Sequence, residues 1–428
     1  MDSNLRSRLF WLFALVFVFK IGVHVPIPGI DGDALSKIFN EANQGTMFGL
    51  LNLFSGGALS QMSVFGLGIA PYISASIIMQ LAVFMFPWLE RKQKEGEHGR
   101  REVTQYTRYL TVIIAVIQGF VLSSQILGQA ASDGTPVVSD GGVGFRILTV
   151  LLLTTGAVFV MWLGEQITER GIGNGSSIII FVGIASSLFA SVSSLKVSIQ
   201  NEQIQIGGLV ILGLIMVSVI AFIVFMEQGH RRIPIQYTRR MVGKNVYGGQ
   251  ESHLPLKINS AGVIPPIFAN TLLVFPATIL TFFNAVWAER VSSFLHPSSV
   301  FYNILYIGGV VFFCFFYTAI QTNPADMAEN LRKFGGYVPG IRPGKATADY
   351  LDTIINRLTF SGSIYLALVC ILPTILISYF KVNFYFGGTT LLILVGVALD
   401  TMSQLQAHLM NQNYDGFLKT AKLRGRRA

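Results

Sequence analysis

The sequence predicts an all-α, polytopic membrane protein, and three observations predict it. Of its 428 residues, 52% are hydrophobic and only 12% are charged, whereas a soluble domain carries about a quarter charged residues. Apolar runs of roughly 20 residues, enough to span a bilayer, recur at about 9–25, 69–87, 109–127, 146–163, 174–195, 207–226, 260–283, 302–321, 359–379 and 385–409. The 31 Lys and Arg residues gather between alternate runs, with only Lys20, Lys37, Arg146, Lys196, Arg290 and Lys381 elsewhere. An even number of crossings puts both termini on one side, and the positive-inside rule makes that side the cytoplasm.

The first run follows Arg6 and Arg8 and reads "LFWLFALVFVFKIGVHVPIPG". It has the outline of a signal peptide, but no small-residue cleavage site follows it, so it is assigned as the first membrane helix. The net charge of +9 is then mainly a topology signal, with nucleic-acid binding, ribosomal RNA included, as the weaker alternative. Cys314 in "FFCFFY" and Cys370 in "LALVCIL" lie within apolar runs and are expected to be packed rather than bridged or metal-bound.

Between the first and second runs lies "FSGGALSQMSVFGLGIAPYISASIIMQ" (54–80), too apolar for a surface loop and too broken for a plain membrane helix. Residues 47–65 are expected to form a short helix interrupted by Gly56 and Gly57, and Gly66, Gly68 and Pro71 separate it from a full helix starting near Ile69. Non-helical backbone at membrane depth must be buried in protein or line a wet cavity, because hydrocarbon cannot satisfy its amides. No charge occurs between Glu41 and Glu90, and the few polar groups of the short piece include Ser55, Ser60, Gln61 and Ser63. The short piece is therefore expected to re-enter from outside and sit in a cavity; a helix lying on the outer surface is the alternative.

Four cytoplasmic features follow: "ERKQKEGEHGRREVTQYTR" (90–108), the turn "GEQITERGIGNG" (164–175), a basic loop (227–257) and a second long loop (322–357). Loops of that length usually have a function. "GHRRIPIQYTRR" alternates apolar and polar residues as a strand does, and "VPGIRPGK" is punctuated into a rigid turn. Ordered, basic, protruding loops suit a docking partner, beyond their part in fixing topology.

The membrane centres are almost free of charge. Lys20 and His24 fall near the outer end of the first run, Glu165 near the inner end of the fourth, and Asp400 is the one acid clearly inside. An ion-coupled transporter needs ionisable groups near the midplane, and one acid without an obvious partner is a poor coupling site. An intramembrane enzyme would need a nucleophile and base or a metal cluster, and the six histidines (24, 98, 230, 253, 296 and 408) are dispersed. Neither a phosphate loop of the GxxxxGK[ST] type nor a paired catalytic constellation is found in the sequence, so the chain is not expected to be an ATPase or protease. A pore lined by uncharged aliphatic residues gates by excluding water.

Several motifs in order resemble one family. "VPIPGID" (25–31), "FSGGALS" (54–60), "PYISASII" (71–78), "EGEHGRREVTQYTRY" (95–109), "MWLGEQITERGIGNG" (161–175), "HLPLKINSAGVIPPIFA" (253–269), "TNPADMAENLRK" (322–333), "VPGIRPG" (338–344) and "FYFGGTTLLI" (384–393) are similar to the SecY family, the channel-forming subunits of the Sec protein translocon.

The resemblance implies ten helices in two inverted pseudo-symmetric halves around an hourglass pore, 1–195 and 207–410, joined by an external hinge at 196–206 and followed by a basic cytoplasmic tail, 411–428. It implies that residues 53–65 are a plug stoppering the pore, with Phe54, Ser55, Gly56, Gly57, Leu59, Ser60, Met62 and Phe65 in it. It carries a pore ring onto Ile69, Ile73, Ile180, Ile267 and Ile393; a sixth position holds Ser176, where many relatives have an aliphatic residue. A lateral gate opening to lipid falls on Ser74, Gln118 and Asn270 or Thr271. The long loops, 227–258 and 322–357, become the docking surface for the ribosome and the SecA motor ATPase, through Arg231, Arg232, Arg239, Arg240, Arg342 and Lys345. SecE and SecG are the implied companion subunits, signal sequences and nascent polypeptides the implied cargo. No cofactor is implied.

Overall fold

The computed structural model describes residues 3–32, 35, 52, 55–127, 137–138, 142–200, 206–237, 240–242, 245–247, 251–280, 291, 294, 299–380 and 388–420. The chain divides into two compact units. The first comprises residues 1–203, 271–299 and 397–428, and the second residues 204–270 and 300–396.

In the first unit, α1 (Ser3–Val23) precedes the broken stretch, which leads into α2 (Ala70–Met85). Phe86 is extended and Pro87 opens α3 (Pro87–Lys94), so the axis turns by 102° there. A proline disfavours the helical conformation in the residue before it, and here that residue, Phe86, is extended, so the bend falls there. Three long helices follow: α4 (Glu97–Leu127), α5 (Val143–Arg170) and α6 (Gly175–Gln200). α4 packs on both α2 and α5, and α1 and α6 pack on α5.

The second unit begins with α7 (Ile206–Gln228) and then leaves the helical regime for β1 (His230–Tyr237), β2 (Arg240–Val242), β3 (Asn245–Tyr247) and β4 (Glu251–Lys257). α8 (Ile264–Leu280), α9 (Val300–Gln321), α10 (Pro324–Lys333), β5 (Gly336–Tyr337), α11 (Lys345–Phe380) and α12 (Gly388–Thr420) complete the chain, the ends of α8 and α12 crossing into residues of the first unit. Five helices are each long and apolar enough to cross a membrane, or six if α2 and α3 are one bent span, among the described residues. α1 has the length, but Arg6, Arg8 and Lys20 fall within its 21 residues. The expected tail at 411–428 is partly helical, because α12 runs on to Thr420.

The two long loops fold into one α/β subdomain. β1 lies between β4 and β5, antiparallel to both. β5 pairs only at Gln236 and Tyr237, which leaves Pro234 on an open edge where a missing amide donor is tolerated. The alternation read in "RRIPIQ" is real: Arg231 and Arg232 are exposed while Ile233 and Ile235 are buried. Ile233 and Leu256 join Ala328 of α10, Val338, and Leu351, Ile354 and Ile355 of α11 in a small core. α10 is capped at both ends: Asn323 Oδ1 accepts from the Ala325 amide at 3.1 Å, Asp326 lies in its first turn, and Arg332 and Lys333 lie in its last, each charge matched to the helix dipole.

Leu351 is fully buried in that core. Leu351→Ala is expected to cost about 2–5 kcal/mol, as large-to-small core changes do. Limited proteolysis should then cut within 322–357 in the variant before it cuts the wild type.

Candidate functional site

The broken stretch is built from turns. Residues 55–69 form a succession of turns ending where α2 begins, so the short helix expected over 47–65 does not continue through 55–65; Asn52 ahead of them is helical, and Leu53 and Phe54 lie outside the described residues. The reason is local. Ser55 Oγ donates to the Asn52 carbonyl and accepts from the Leu59 amide, Ser60 Oγ donates to the Gly57 carbonyl, and the Phe65 amide donates to Ser63 Oγ. Asn52 Oδ1 accepts from the Ser60 amide at 2.9 Å. Such short polar side chains offer the backbone an alternative to helical bonding. Gly56, at φ +70°, takes a left-handed turn that a side chain would resist.

These bonds, with backbone bonds from Met62 to Leu59, Ser63 to Ala58, Gly66 to Ser63 and Gly68 to Phe65, satisfy the segment largely from within. A body whose amides are internally paired can move through an apolar space at little electrostatic cost. Ser55, Ser63, Ala58, Leu59, Met62 and Phe65 are buried, while Gln61 is exposed. The seat is equally specific. Ile27 donates to the Met62 carbonyl and Val64 to the Val25 carbonyl, both at 3.0 Å, around a bridge between Pro26 and Ser63. Leu59 and Met62 pack with Ile27, Leu122 and Ile126 of α4 and Leu153 of α5. Phe65 stacks between Phe19 of α1 and Phe159 of α5, at 6.1 and 5.8 Å.

Glycines on the surrounding helices make the room. A Cβ on Gly156 of α5 would collide with the Val64 carbonyl, one on Gly22 of α1 with the Phe65 ring, and one on Gly56 would fall 2.8 Å from the Gly183 Cα of α6. Met62 is the described non-glycine residue held at positive φ, +42°, and it is fully buried; such backbone strain costs about 1–3 kcal/mol. The seated segment is thus tightly fitted yet partly strained. Sequence inspection missed this seat, although the paired prolines of "VPIPG" mark extended backbone suited to a bridge.

Of the ring candidates, Ile69, Ile73 and Ile180 belong to the first unit and Ile267 and Ile393 to the second. Ile69 caps α2, is buried and packs beside Gly164 of α5; Ile73 sits one turn on, half-buried, its amide donating to the Ile69 carbonyl. Ile180 and Ile393 are buried and Ile267 is half-buried. Ser176 is occupied otherwise: its amide and hydroxyl both donate to Asn174 Oδ1, at 3.1 and 2.7 Å, at the start of α6.

Ser74 is buried on α2 and its hydroxyl donates to the Ala70 carbonyl of its own helix; Gln118 on α4 and Thr271 on α8 are half-buried. Asn270 is buried, and its Oδ1 accepts from the Tyr302 hydroxyl of α9 at 3.2 Å. Tyr302→Phe would strip this donor from a buried acceptor, and about 1–2 kcal/mol is expected to be lost, read as a lower thermal midpoint of the purified protein. Glu165 is held too: Arg108 of α4 grips both its oxygens at 2.9 Å.

Arg231, Arg232, Arg342 and Lys345 are exposed. Arg342 stands in a turn closed by Thr347, whose hydroxyl donates to the Arg342 carbonyl at 2.9 Å. Arg240 lies in β2, paired with Tyr247, and Arg239 lies outside the described residues. Cys314 and Cys370 are free and buried, Cys370 accepting from the Tyr306 hydroxyl. Among the described residues no group of His, Cys, Asp or Glu could hold a metal ion.

A helical, multi-pass membrane protein with an uncharged, glycine-seated segment among its helices and a basic α/β subdomain is the class these features define. A family model described as SecY matches residues 63–402. The chain is 47% identical over 427 residues to the protein translocase subunit SecY of Pseudomonas aeruginosa, covering 99% of this chain and 95% of that protein. To the Escherichia coli K12 subunit of the same name it is 45% identical over 427 residues, at 99% and 96% coverage. The chain belongs to the SecY family. Its fold is shared with a structure described as a protein conducting channel, at TM-score 0.65 and 17% identity over 99% of this chain and 96% of that one. A structure concerning the plug domain of the SecY protein gives TM-score 0.67 at 18% identity, again at 99% and 96% coverage.

Proposed function

We propose that this chain is the protein-conducting channel of a Sec translocon in the bacterial cytoplasmic membrane, with both termini in the cytoplasm. The observation that carries this is the 55–69 segment: uncharged, bonded within itself and fitted against glycines of three helices. Such a segment is a stopper that can leave its seat without exposing a row of unpaired amides. Unfolded secretory polypeptides then thread through a ring of Ile69, Ile73, Ile180, Ile267 and Ile393, which closes around them as a flexible apolar gasket. Membrane helices leave sideways to lipid, past Ser74, Gln118, Asn270 and Thr271. Ser176, engaged at a helix start, is left out of the gasket.

The chain supplies the gate, and a partner supplies the energy. SecA or the ribosome docks on the basic subdomain, SecE and SecG complete the complex, and a signal sequence shifts the gate population toward open. The test is reconstitution in vesicles with these partners. An unfolded secretory polypeptide should become protease-protected in an ATP-dependent manner, and the same polypeptide locked by an internal crosslink should not. Gradient-driven uptake of a small solute, without polypeptide protection, would overturn the proposal.

A further inference from the structure

The β1–β4 ladder does not stop at its last pair, His230 with Lys257. One residue on, the Ile258 amide donates to the Gly229 carbonyl at 3.0 Å, which carries the pairing to the end of α7. There Asn259, only 4% exposed, turns its amide nitrogen to two acceptors. One is Glu227 Oε1 on α7, at 2.7 Å; the other is the Gly262 carbonyl, at 3.0 Å, in the turn that opens α8. Glycines let the elements converge: a Cβ on Gly229 would fall 2.5 Å from Ile258 Cδ1, and one on Gly362 of α11 3.0 Å from the Ile258 carbonyl. Tyr365, three residues along α11, is buried beside the Glu227 carboxylate.

We propose that Asn259 is the positioning residue that locks the basic subdomain to α8, so that the sheet and the start of that helix move as one body. Residues 258–263 are otherwise an irregular connector between β4 and α8. A loose connector would absorb any displacement of the sheet. A buried amide that bridges α7 and the α8 turn removes that slack, because each bond it gives up leaves a desolvated partner. Pro265 and Pro266 stiffen the first turn of α8 beyond it. A load applied at Arg231 and Arg232 on β1 therefore reaches α8 through Ile258 and Asn259. What α8 then gates rests on the channel function proposed above; the joint itself does not.

The test has two arms on the intact complex. Without any partner, amide exchange at 258–263 should be about tenfold faster in Asn259→Ala than in the wild type, whereas Glu227→Gln, whose amide oxygen still accepts from Asn259, should stay within about twofold. In vesicles, Asn259→Ala should bind the cytoplasmic partner with unchanged affinity while partner-stimulated translocation falls about tenfold. Wild-type exchange, or wild-type stimulation, in Asn259→Ala overturns the proposal. Should that variant fail to assemble, Glu227→Ala removes the other end of the bridge, and wild-type exchange there overturns it equally. Exchange needs no cargo, so wild-type vesicles that move no polypeptide would overturn the channel function and leave the exchange arm to judge the joint.

Discussion

Gly156→Val is expected to make the resting channel leak ions. A side chain at Gly156 would collide with the Val64 backbone, and the chain from Met62 to Val64 is pinned on its other side by Ile27 and Val25. Backbone cannot rotate away as a side-chain tip would, so the segment must leave the seat or α5 must shift. Overpacking of this kind costs about 1–3 kcal/mol, and each 1.4 kcal/mol shifts the closed-to-open ratio about tenfold. Resting conductance in planar bilayers should rise about ten- to a hundredfold, with the protein still assembled and still able to pass polypeptide. Gly308→Val serves as the control, since a Cβ there meets nothing within 4 Å. Unchanged conductance in Gly156→Val would show that the 55–69 segment does not seal the resting state.

Reversing the charge at Arg231, Arg232 and Arg342 together should abolish productive docking. All three are exposed, and the first two stand on a strand whose Ile233 and Ile235 are buried, Ile233 within the subdomain core. A guanidinium presents a planar fork to phosphate and carboxylate alike, and a charge-assisted hydrogen bond contributes about 1.5–3 kcal/mol. Affinity for SecA or the ribosome should fall by at least about a hundredfold, and wild-type binding should weaken as salt rises, because exposed pairs are screened. Sedimentation or fluorescence titration measures both. The buried core beneath these residues is untouched, so the thermal midpoint should hold; a collapse of the fold instead of a loss of binding would contradict a docking role.

Much of this was legible in the sequence, for physical reasons that differ by region. Membrane spans declare themselves because length and hydropathy are fixed by the bilayer, and α4, α5, α9 and α11 overlap the expected runs, though α4 and α11 extend far past them into polar sequence. The strand at "RRIPIQ" was legible because a half-buried strand must alternate. That its partners would be β4 and β5, more than a dozen residues away on either count, was not, because pairing between loops leaves no local signature. The broken stretch was recognisable as broken, but its turns were misread as helix, since Ser55, Asn52 and Ser63 redirect the backbone bonds and apolar composition cannot show this. Gly22, Gly156 and Gly183 looked like ordinary helix glycines; their meaning lies in what packs against them. Asn259 lies within the motif at 253–269, but its part in a joint was not legible, because one of its two acceptors stands on a separate helix more than thirty residues earlier.

The central claim is that a polypeptide passes through the aliphatic ring. The most direct measurement places single cysteines at Ile73 and at Ile393, in otherwise cysteine-free protein in vesicles, against a stalled secretory polypeptide with one cysteine of its own. Disulfide crosslinks should form at both sites only when the polypeptide is engaged, and should vanish when it is released. Vesicles that demonstrably translocate but give no crosslink at either site would contradict the ring, and with it the role assigned to the segment that ends at Ile69.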